Sequence, residues 1–446
     1  MRIVKFGGTS VGSAYHIKKL VNLIDVNKRT LFVFSAIGGI TNMLADFIYQ
    51  SKLGEKEICQ HTFLRIREIH FRVITELFSS KNYKQIAESK VEESLKLLSY
   101  YSNHRITEKA EKEILVQGEL ISCSIIYLYM LEHEMDVAYI PALRFMFTDK
   151  YKEPNYLKIT EKLTKELSKY NGCKLFITNG YICQNYKRQT DNLNRGGSDY
   201  TATIIGNVLR ASIIEIWTDI DGLQNNDPRY VENTFPIRNL SYEEASELAY
   251  FGAKILHPLC IIPAQRAKIP IALKNTMSPD DQGTTISEYA ISKGIKAIAV
   301  KDGITAIKVK SARMMQAYGF LRRIFEVFEK FKTPVDMLTT SEISVAMTID
   351  NNAYLEPIIT ELCNLGEVEI DQNQSIICIV GNFNDNRNIS IQSITDGLGN
   401  IPVHMISFGA SKINISFLID TTNKIEALNL LNQHIFRHHL CSINIQ

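Results

Sequence analysis

Lys5-Phe6-Gly7-Gly8-Thr9-Ser10 ends the first apolar run of the chain. A lysine followed by two glycines and two hydroxyls can hold phosphate. Glycines let the backbone approach an anion with several N–H groups pointing inward. The lysine adds a mobile positive charge, and a helix starting just afterward adds the positive end of its dipole. The order excludes a Walker A loop, where the lysine follows the glycines. The same residues also fit a plain strand entering a tight turn. Arg195-Gly196-Gly197-Ser198-Asp199 lies before a helical pattern. Its guanidinium can fork onto a carboxylate, and Asp199 can cap the helix or hold a lysine; a capped turn with a solvated arginine is the alternative. Thr218-Asp219-Ile220-Asp221-Gly222 leads to Asn226-Asp227-Pro228-Arg229, a set suited to a nucleotide's ribose and phosphates or to a polar turn. Glu119 after Gly118, and Lys254 after Phe251-Gly252-Ala253, read alone as solvated helical residues. His257, before Pro258, reads as structural.

These residues sit at the ends of regular elements. Arg2–Phe6 and Thr30–Ala36 are apolar runs of the kind found in strands buried on both faces. Ile17, Leu20, Val21 and Ile24 recur at helical spacing between them. Thr41 is placed to cap a helix over Asn42–Gln50. Further strands are expected at Lys174–Thr178, Ile213–Thr218 and Ile269–Leu273, and helices at Tyr200–Leu209 and, through the capping box Ser241-x-x-Glu244, at Tyr242–Leu256, with Pro258 as its stop. Strands separated by helices imply an α/β fold with an open, mostly parallel sheet. Ligands in such folds bind beyond the C-terminal strand ends, where Lys5–Gly8, Ser35-Ala36, Asn179-Gly180 and Thr218-Asp219 fall. Residues 42–135 read as mostly helical and charged.

The chain has 446 residues and a formal net charge of +2, too balanced to favour nucleic acid or a membrane surface as partner. No apolar run reads as long enough to span a bilayer, and the first residues do not read as a signal peptide. The eight cysteines form no C-x-x-C pair, so a reduced, cytoplasmic chain without a metal site is expected. After residue 302 a pattern repeats. Val335-Asp336-Met337-Leu338 answers Val403-His404-Met405-Ile406, and Ile343–Asp350 answers Ile413–Asp420. Two tandem ferredoxin-like βαββαβ modules are implied, suited to regulation or to oligomerisation.

Taken in order, these motifs resemble the aspartate kinases of the amino-acid kinase superfamily. The resemblance rests on Lys5–Val11, Gly39-Ile40-Thr41-Asn42, Gly118-Glu119-Leu120, Arg195–Ala202, Trp217–Gly222 and Phe251–Pro258. The C-terminal modules are similar to that family's paired ACT domains, and Ser311–Leu321 with Val335–Asp350 looks like the single-function, lysine-sensitive branch. The resemblance implies a catalytic domain over 1–290 and ACT domains over 300–370 and 371–446. It implies transfer of the γ-phosphoryl of ATP, with Mg²⁺, to the β-carboxylate of L-aspartate, the first step toward lysine, threonine and methionine. Homodimers or higher homo-oligomers through the ACT domains are also implied.

The resemblance assigns roles residue by residue. Lys5 would neutralise the transferring phosphoryl, oriented by Asp199, with Gly7, Gly8 and Ser10 binding phosphate. Arg195 would clamp the substrate α-carboxylate and Glu119 take its α-ammonium, while Ser35, Thr41 and Ser198 help place it. Thr218, Asp219, Gln224, Arg229 and Lys254 match nucleotide-binding positions. A lysine effector would meet Met314, Gly319, Phe320, Leu321, Val335, Asp336, Ser341 and Glu342 between two subunits, with Asp336 and Glu342 on its ammonium groups. The acceptor carboxylate, with a pKa near ~4, is ionised at neutral pH, so no general base is needed. The chain departs from the family at Asn194, where glycine is usual, and at Tyr181, commonly phenylalanine. It also departs at Gln224, often tyrosine, and at Ala317, a serine in the lysine-sensitive branch. A glutamate or acetylglutamate kinase is disfavoured by the ACT pair and by Phe251–Pro258. A catalytically dead amino-acid sensor is disfavoured by intact Lys5, Arg195 and Asp199.

Overall fold

The computed structural model describes residues 1–193, 196–252, 256–289, 294–314, 318–383, 391–409 and 411–437. Asn194, Arg195, Lys254, Ala317 and Cys441, all singled out above or among the cysteines, lie outside the described residues. The chain divides into two compact units: Met1–Leu223 with Leu256–Tyr289, and Gln224–Ile255 with Ala290–Gln446.

The first unit is built on a sheet that runs, side by side, Val137–Tyr139, Leu175–Asn179, Thr30–Phe34, Arg2–Phe6, Ile213–Thr218, Ile271–Asn275 and Thr284–Ser287. Every pair but the last is parallel. Arg2–Phe6 and Thr30–Phe34 are buried along nearly their whole length, which is why they read as unbroken apolar runs. Helix Gly197–Leu209 packs on the strands Arg2–Phe6 and Ile213–Thr218, and helix Gln117–Glu132 on Thr30–Phe34 and Leu175–Asn179.

The middle of the chain is helical, over Ile40–Leu53, Lys56–Leu77, Lys81–Tyr101, Glu108–Leu115 and Gln117–Glu132. Here one expectation fails. The stretch Glu108–Glu132 holds an 18-residue window with a mean hydropathy of 1.7, long and apolar enough by composition to cross a membrane. Ile121, Ile125, Ile126 and Met130 are at most 2% exposed, so this is a helix apolar on several faces because protein surrounds it.

Two helix boundaries also differ. Thr41 is not a cap: Gly39, at φ +84°, begins the helix Ile40–Leu53 and leaves the Thr41 hydroxyl free of that task. The helix at Tyr242 has its capping box, but it ends at Tyr250. Gly252 turns the chain at φ +128°, and a Cβ there would lie 2.0 Å from the Val300 carbonyl oxygen. Pro258 therefore stops nothing; it stands in the first turn of the next helix, Pro258–Ala267, where its missing N–H costs no hydrogen bond. His257 caps that helix, accepting the Leu259 N–H at 3.2 Å, as a structural histidine should.

The second unit carries a sheet in the order Leu338–Thr340, Ser344–Ile349, Gly294–Lys310, Glu367–Asn382, Asn414–Asp420, Met405–Phe408. The modules are interleaved rather than strictly tandem. The long strands Gly294–Lys310 and Glu367–Asn382 pair antiparallel along their length, and each serves both modules. The second module takes its outer strand from residues 294–301, ahead of the first module. Register shifts around Asp302-Gly303, with Gly303 at φ +75° and Asn373 at φ +58°, mark the junction. Residues 224–255 also join this unit: Val231 and Phe235 pack into the core of the second module with Phe417 and Leu428. The compact units thus divide the chain differently from the linear scheme of 1–290, 300–370 and 371–446.

Candidate active site

Sheet register aligns the ends that carry the chemistry. Phe6 pairs with Phe34 and with Trp217, and Phe34 pairs with Asn179. The chain leaving these positions forms one rim.

Lys5 is 8% exposed, and its Nζ lies 2.6 Å from Asp199 Oδ1. Asp199 stands in the first turn of helix Gly197–Leu209. A lysine and an aspartate nearly 200 positions apart in sequence thus meet because strand and helix pack together. Glycine is required at several close approaches. A Cβ on Gly180 would lie 2.2 Å from Ser198 Oγ, so its absence lets the helix start rest on the end of strand Leu175–Asn179. Gly8 accepts the Gly38 N–H at 3.0 Å, and a Cβ on Gly8 would press on the Ala36 oxygen at 3.1 Å. The two glycine turns therefore touch.

Beside this contact is a cavity of about 290 Å³, lined by Gly8, the turn from Ser35 to Gly39, Thr41, Glu119, Tyr181 and the helix start Gly197-Ser198. Glu119 is 4% exposed, and among the described residues its Oε2 has no hydrogen-bond partner. Burial pushes its carboxyl up to about 8, while its own backbone amide and that of Ala36 pull it down. A buried acceptor left open toward a cavity suits a donor brought by a ligand. The lining combines that carboxylate with backbone N–H groups at a helix start, so it can receive an ammonium and an anion in one molecule.

Several supports were not legible in the sequence. Asn179 is fully buried; its Nδ2 donates to the Glu119 carbonyl at 3.0 Å, and its Oδ1 accepts the Tyr139 hydroxyl at 2.9 Å. Ser122 donates to the Ser35 carbonyl at 2.8 Å and braces the turn. Tyr181 adopts φ +65°, unusual for an aromatic residue, held by its amide on Thr201 Oγ1 at 3.0 Å. The Asn-Gly pair after a strand was the available signal for Asn179.

Not every expected residue joins this cavity. Gly7 donates its N–H to the Trp217 carbonyl at 3.1 Å. Ser10 is buried, with its hydroxyl 2.7 Å from Thr276 Oγ1 and 3.3 Å from the Trp217 oxygen, so it ties the turn to its neighbours rather than facing open space. Thr218 and Asp219 follow the Trp217 strand, the hydroxyl donating to the Asp219 carboxylate at 3.0 Å. Gln224 and Arg229 belong to the second unit, where Arg229 forks onto Asp227 at 2.5 Å. Arg195 and Lys254 lie outside the described residues.

Of the expected effector residues, Gly319 starts helix Phe320–Lys330 with φ +78°, and Phe320 is buried in the first module's core, with Met314 and Val335 packed against it. Leu321 and Glu342 are exposed, and Ser341 Oγ lies 2.6 Å from Ser344 Oγ. The Asp336 side chain is fully buried, and Lys301 already holds it at 2.9 Å.

Residues 1–275 match the model of the amino acid kinase family, and residues 377–435 match an ACT domain. The chain belongs to the amino acid kinase family. Aspartokinase 2 of Arabidopsis thaliana, a chloroplast protein, is 32% identical over 97% of this chain and 84% of its own length. Lysine-sensitive aspartokinase 3 of Escherichia coli is 29% identical over 97% of this chain and 99% of its own. Among solved structures, E. coli aspartokinase III in complex with aspartate and ADP, called the R-state, has a TM-score of 0.85 at 29% identity, covering 98% of this chain and all of that one. The same enzyme with lysine and aspartate, called the T-state, has a TM-score of 0.79 at 28% identity, covering 98% and 99%. The chain is thus an ATP-dependent carboxyl-group kinase of the aspartokinase type, with the amino-acid kinase fold followed by ACT modules.

Proposed function

We propose that the chain transfers the γ-phosphoryl of ATP to the β-carboxylate of L-aspartate, giving 4-phospho-L-aspartate, and that lysine inhibits it through the ACT modules. The observation that carries this reading is the Lys5–Asp199 pair beside a cavity lined by the buried Glu119. Two anions must be brought together, and the nucleophile is already ionised, so catalysis rests on charge neutralisation and alignment. Lys5 neutralises the transferring group, and Asp199 fixes its ammonium. Glu119 takes the α-ammonium; Arg195 takes the α-carboxylate; Ser35, Thr41 and Ser198 set the angle of approach. Thr218, Asp219, Gln224, Arg229 and Lys254 serve the nucleotide, and Mg²⁺ rides on its phosphates. The enzyme works as a homodimer or larger homo-oligomer joined through its ACT modules.

ATP-dependent hydroxamate formation tests this reading, with aspartate against glutamate and with or without lysine. Turnover with aspartate alone, suppressed by lysine, is the expected result. Preference for glutamate would overturn the substrate, and indifference to lysine would overturn the effector.

A further inference from the structure

Two side chains at the end of strand Ile271–Asn275 have no part in the catalytic reading, yet they join two turns that carry its phosphate and nucleotide residues. Thr276 is 1% exposed. Its N–H donates to the Thr218 carbonyl at 2.8 Å, and its hydroxyl lies 2.7 Å from Ser10 Oγ. Ser10 directs its single proton to the Trp217 carbonyl at 3.3 Å, so the proton between the two hydroxyls comes from Thr276. The Trp217 carbonyl also accepts the Gly7 N–H at 3.1 Å, which occupies its second lone pair. Asn275 pairs with Thr218 in the sheet. Its Nδ2 donates to Asp221 Oδ1 at 2.6 Å, and its Oδ1 accepts the Met277 N–H at 2.7 Å. One short segment thus grips both the glycine turn after strand Arg2–Phe6 and the polar turn after strand Ile213–Thr218.

We propose that Thr276 and Asn275 are positioning residues for the nucleotide, holding the Gly7–Ser10 turn and the Thr218–Asp221 turn at one spacing so that a single ATP can span them. Gly7 and Gly8 carry no side chain that could anchor their turn, and glycine has the most backbone freedom to lose. The buried Ser10 hydroxyl is therefore an anchor, and Thr276 is what it holds. Valine at 276 keeps the volume, but it sets a methyl group against Ser10 Oγ and removes its donor, so the turn shifts to find another. Asn275 acts on the other turn, where its amide fixes the Asp221 carboxylate two residues after Asp219. Alignment of phosphate with its donors is the kind of geometry that a small displacement spoils. All of these residues belong to the first unit. Of them only Gly8 lines the cavity beside Glu119, so the effect falls on the nucleotide rather than on aspartate.

The proposal rests on the reading that the Thr218–Asp219 turn serves the nucleotide. The experiment is calorimetric titration of the full chain with ADP and Mg²⁺, and separately with L-aspartate, for the parent, Thr276→Val and Thr276→Ser. Thr276→Val is expected to weaken ADP binding about tenfold and to leave aspartate within about twofold. Thr276→Ser keeps the hydroxyl and is expected to bind ADP as the parent does. Unchanged ADP binding in Thr276→Val, equal weakening of both ligands, or no rescue by serine overturns the proposal. Ser10→Ala, alone and joined to Thr276→Val, completes a double-mutant cycle. The double variant is expected to bind ADP no more weakly than the worse single variant, and additive losses overturn the proposal. Should Thr276→Val not fold, Asn275→Ala takes its place: ADP weakened several-fold with aspartate unchanged is expected, and equal weakening or none overturns the proposal. Turnover of the parent is measured separately. A parent that leaves aspartate unphosphorylated, beside a loss confined to ADP in Thr276→Val, upholds the positioning role while ending the substrate reading. A parent that phosphorylates aspartate, with ADP binding unaltered in the variant, does the reverse.

Discussion

Lys5 with Asp199 in the first unit and Lys301 with Asp336 in the second are both lysine–aspartate pairs, and the two differ in what surrounds them. Lys5 meets Asp199 at 2.6 Å, with side chains 10% and 16% exposed. The pair is neutral in sum and stands at the start of helix Gly197–Leu209, beside an open cavity. Lys301 meets Asp336 at 2.9 Å, with a second carboxylate closing the other side. The first arrangement adds a helix's positive end to a balanced pair and so invites an anion. The second has one carboxylate too many and invites a cation. Net local charge, rather than the lysine itself, tells which ligand each place is built for.

Removing the cation is the harshest way to break the first half of this comparison. Lys5→Ala leaves Asp199 without its partner and the transferring phosphoryl without neutralisation. We expect turnover to fall by about a hundredfold or more, the range seen when a preorganised charge-stabilising donor is lost. Steady-state kinetics check this, with circular dichroism confirming the fold. Activity within about tenfold of the parent would contradict the assignment.

Glu119 comes next. Glu119→Gln removes a charge-assisted bond to the ammonium, worth about 1.5–3 kcal/mol. The aspartate KM is expected to rise by one to two powers of ten, with a smaller change for ATP. The same residue gives a pH signature. Its carboxyl is held up to about 8, above the unfolded value of 4.5, so the folded state keeps the proton longer. Stability of the ligand-free protein therefore falls as pH rises from 4.5 to about 8. An incoming ammonium restores the ionised form. Aspartate binding at pH 7 should then release close to one proton, read as a dependence of the calorimetric heat on the buffer's ionisation enthalpy. A heat independent of buffer would mean that Glu119 is already charged in the empty site.

The elements were readable because their signals are local. Strand Ile213–Thr218 stands where its apolar run places it, and helix Gly197–Leu209 covers the expected Tyr200–Leu209. Other features depend on distant packing. The helix at Tyr242 stops early because the Val300 backbone approaches Gly252, and nothing near residue 252 announces that. The interleaving of the modules depends on the pairing of residues 294–301 with 376–382, more than 70 positions away. At the site, glycine turns and hydroxyls could be read from type and spacing. The burial of Glu119 and its brace, Asn179, could not, because an acidic residue in a helix is ordinarily solvated.

The two ACT modules allow the gentlest test. His404 lies 3.2 Å from Asp420, and Gln374 supplies the amide that pulls the Asp420 carboxyl below its usual range. This place has one carboxylate, and both side chains are partly exposed, at 32% and 42%. If the two carboxylates around Lys301 are what draw a cationic effector to the first module, the second should be indifferent to it. His404→Gln keeps a polar side chain and removes only a half-exposed pairing, so it should change stability by less than about 1 kcal/mol. Thermal melts check that number, and lysine inhibition of the variant should match the parent's. A marked loss of inhibition would place effector recognition in both modules and dissolve the distinction drawn from charge. The opposite substitution, His404→Asp, adds the second carboxylate without an internal lysine to fill it. It should leave the second module slightly less stable at neutral pH, and that deficit should shrink as the pH is lowered toward the carboxylate range.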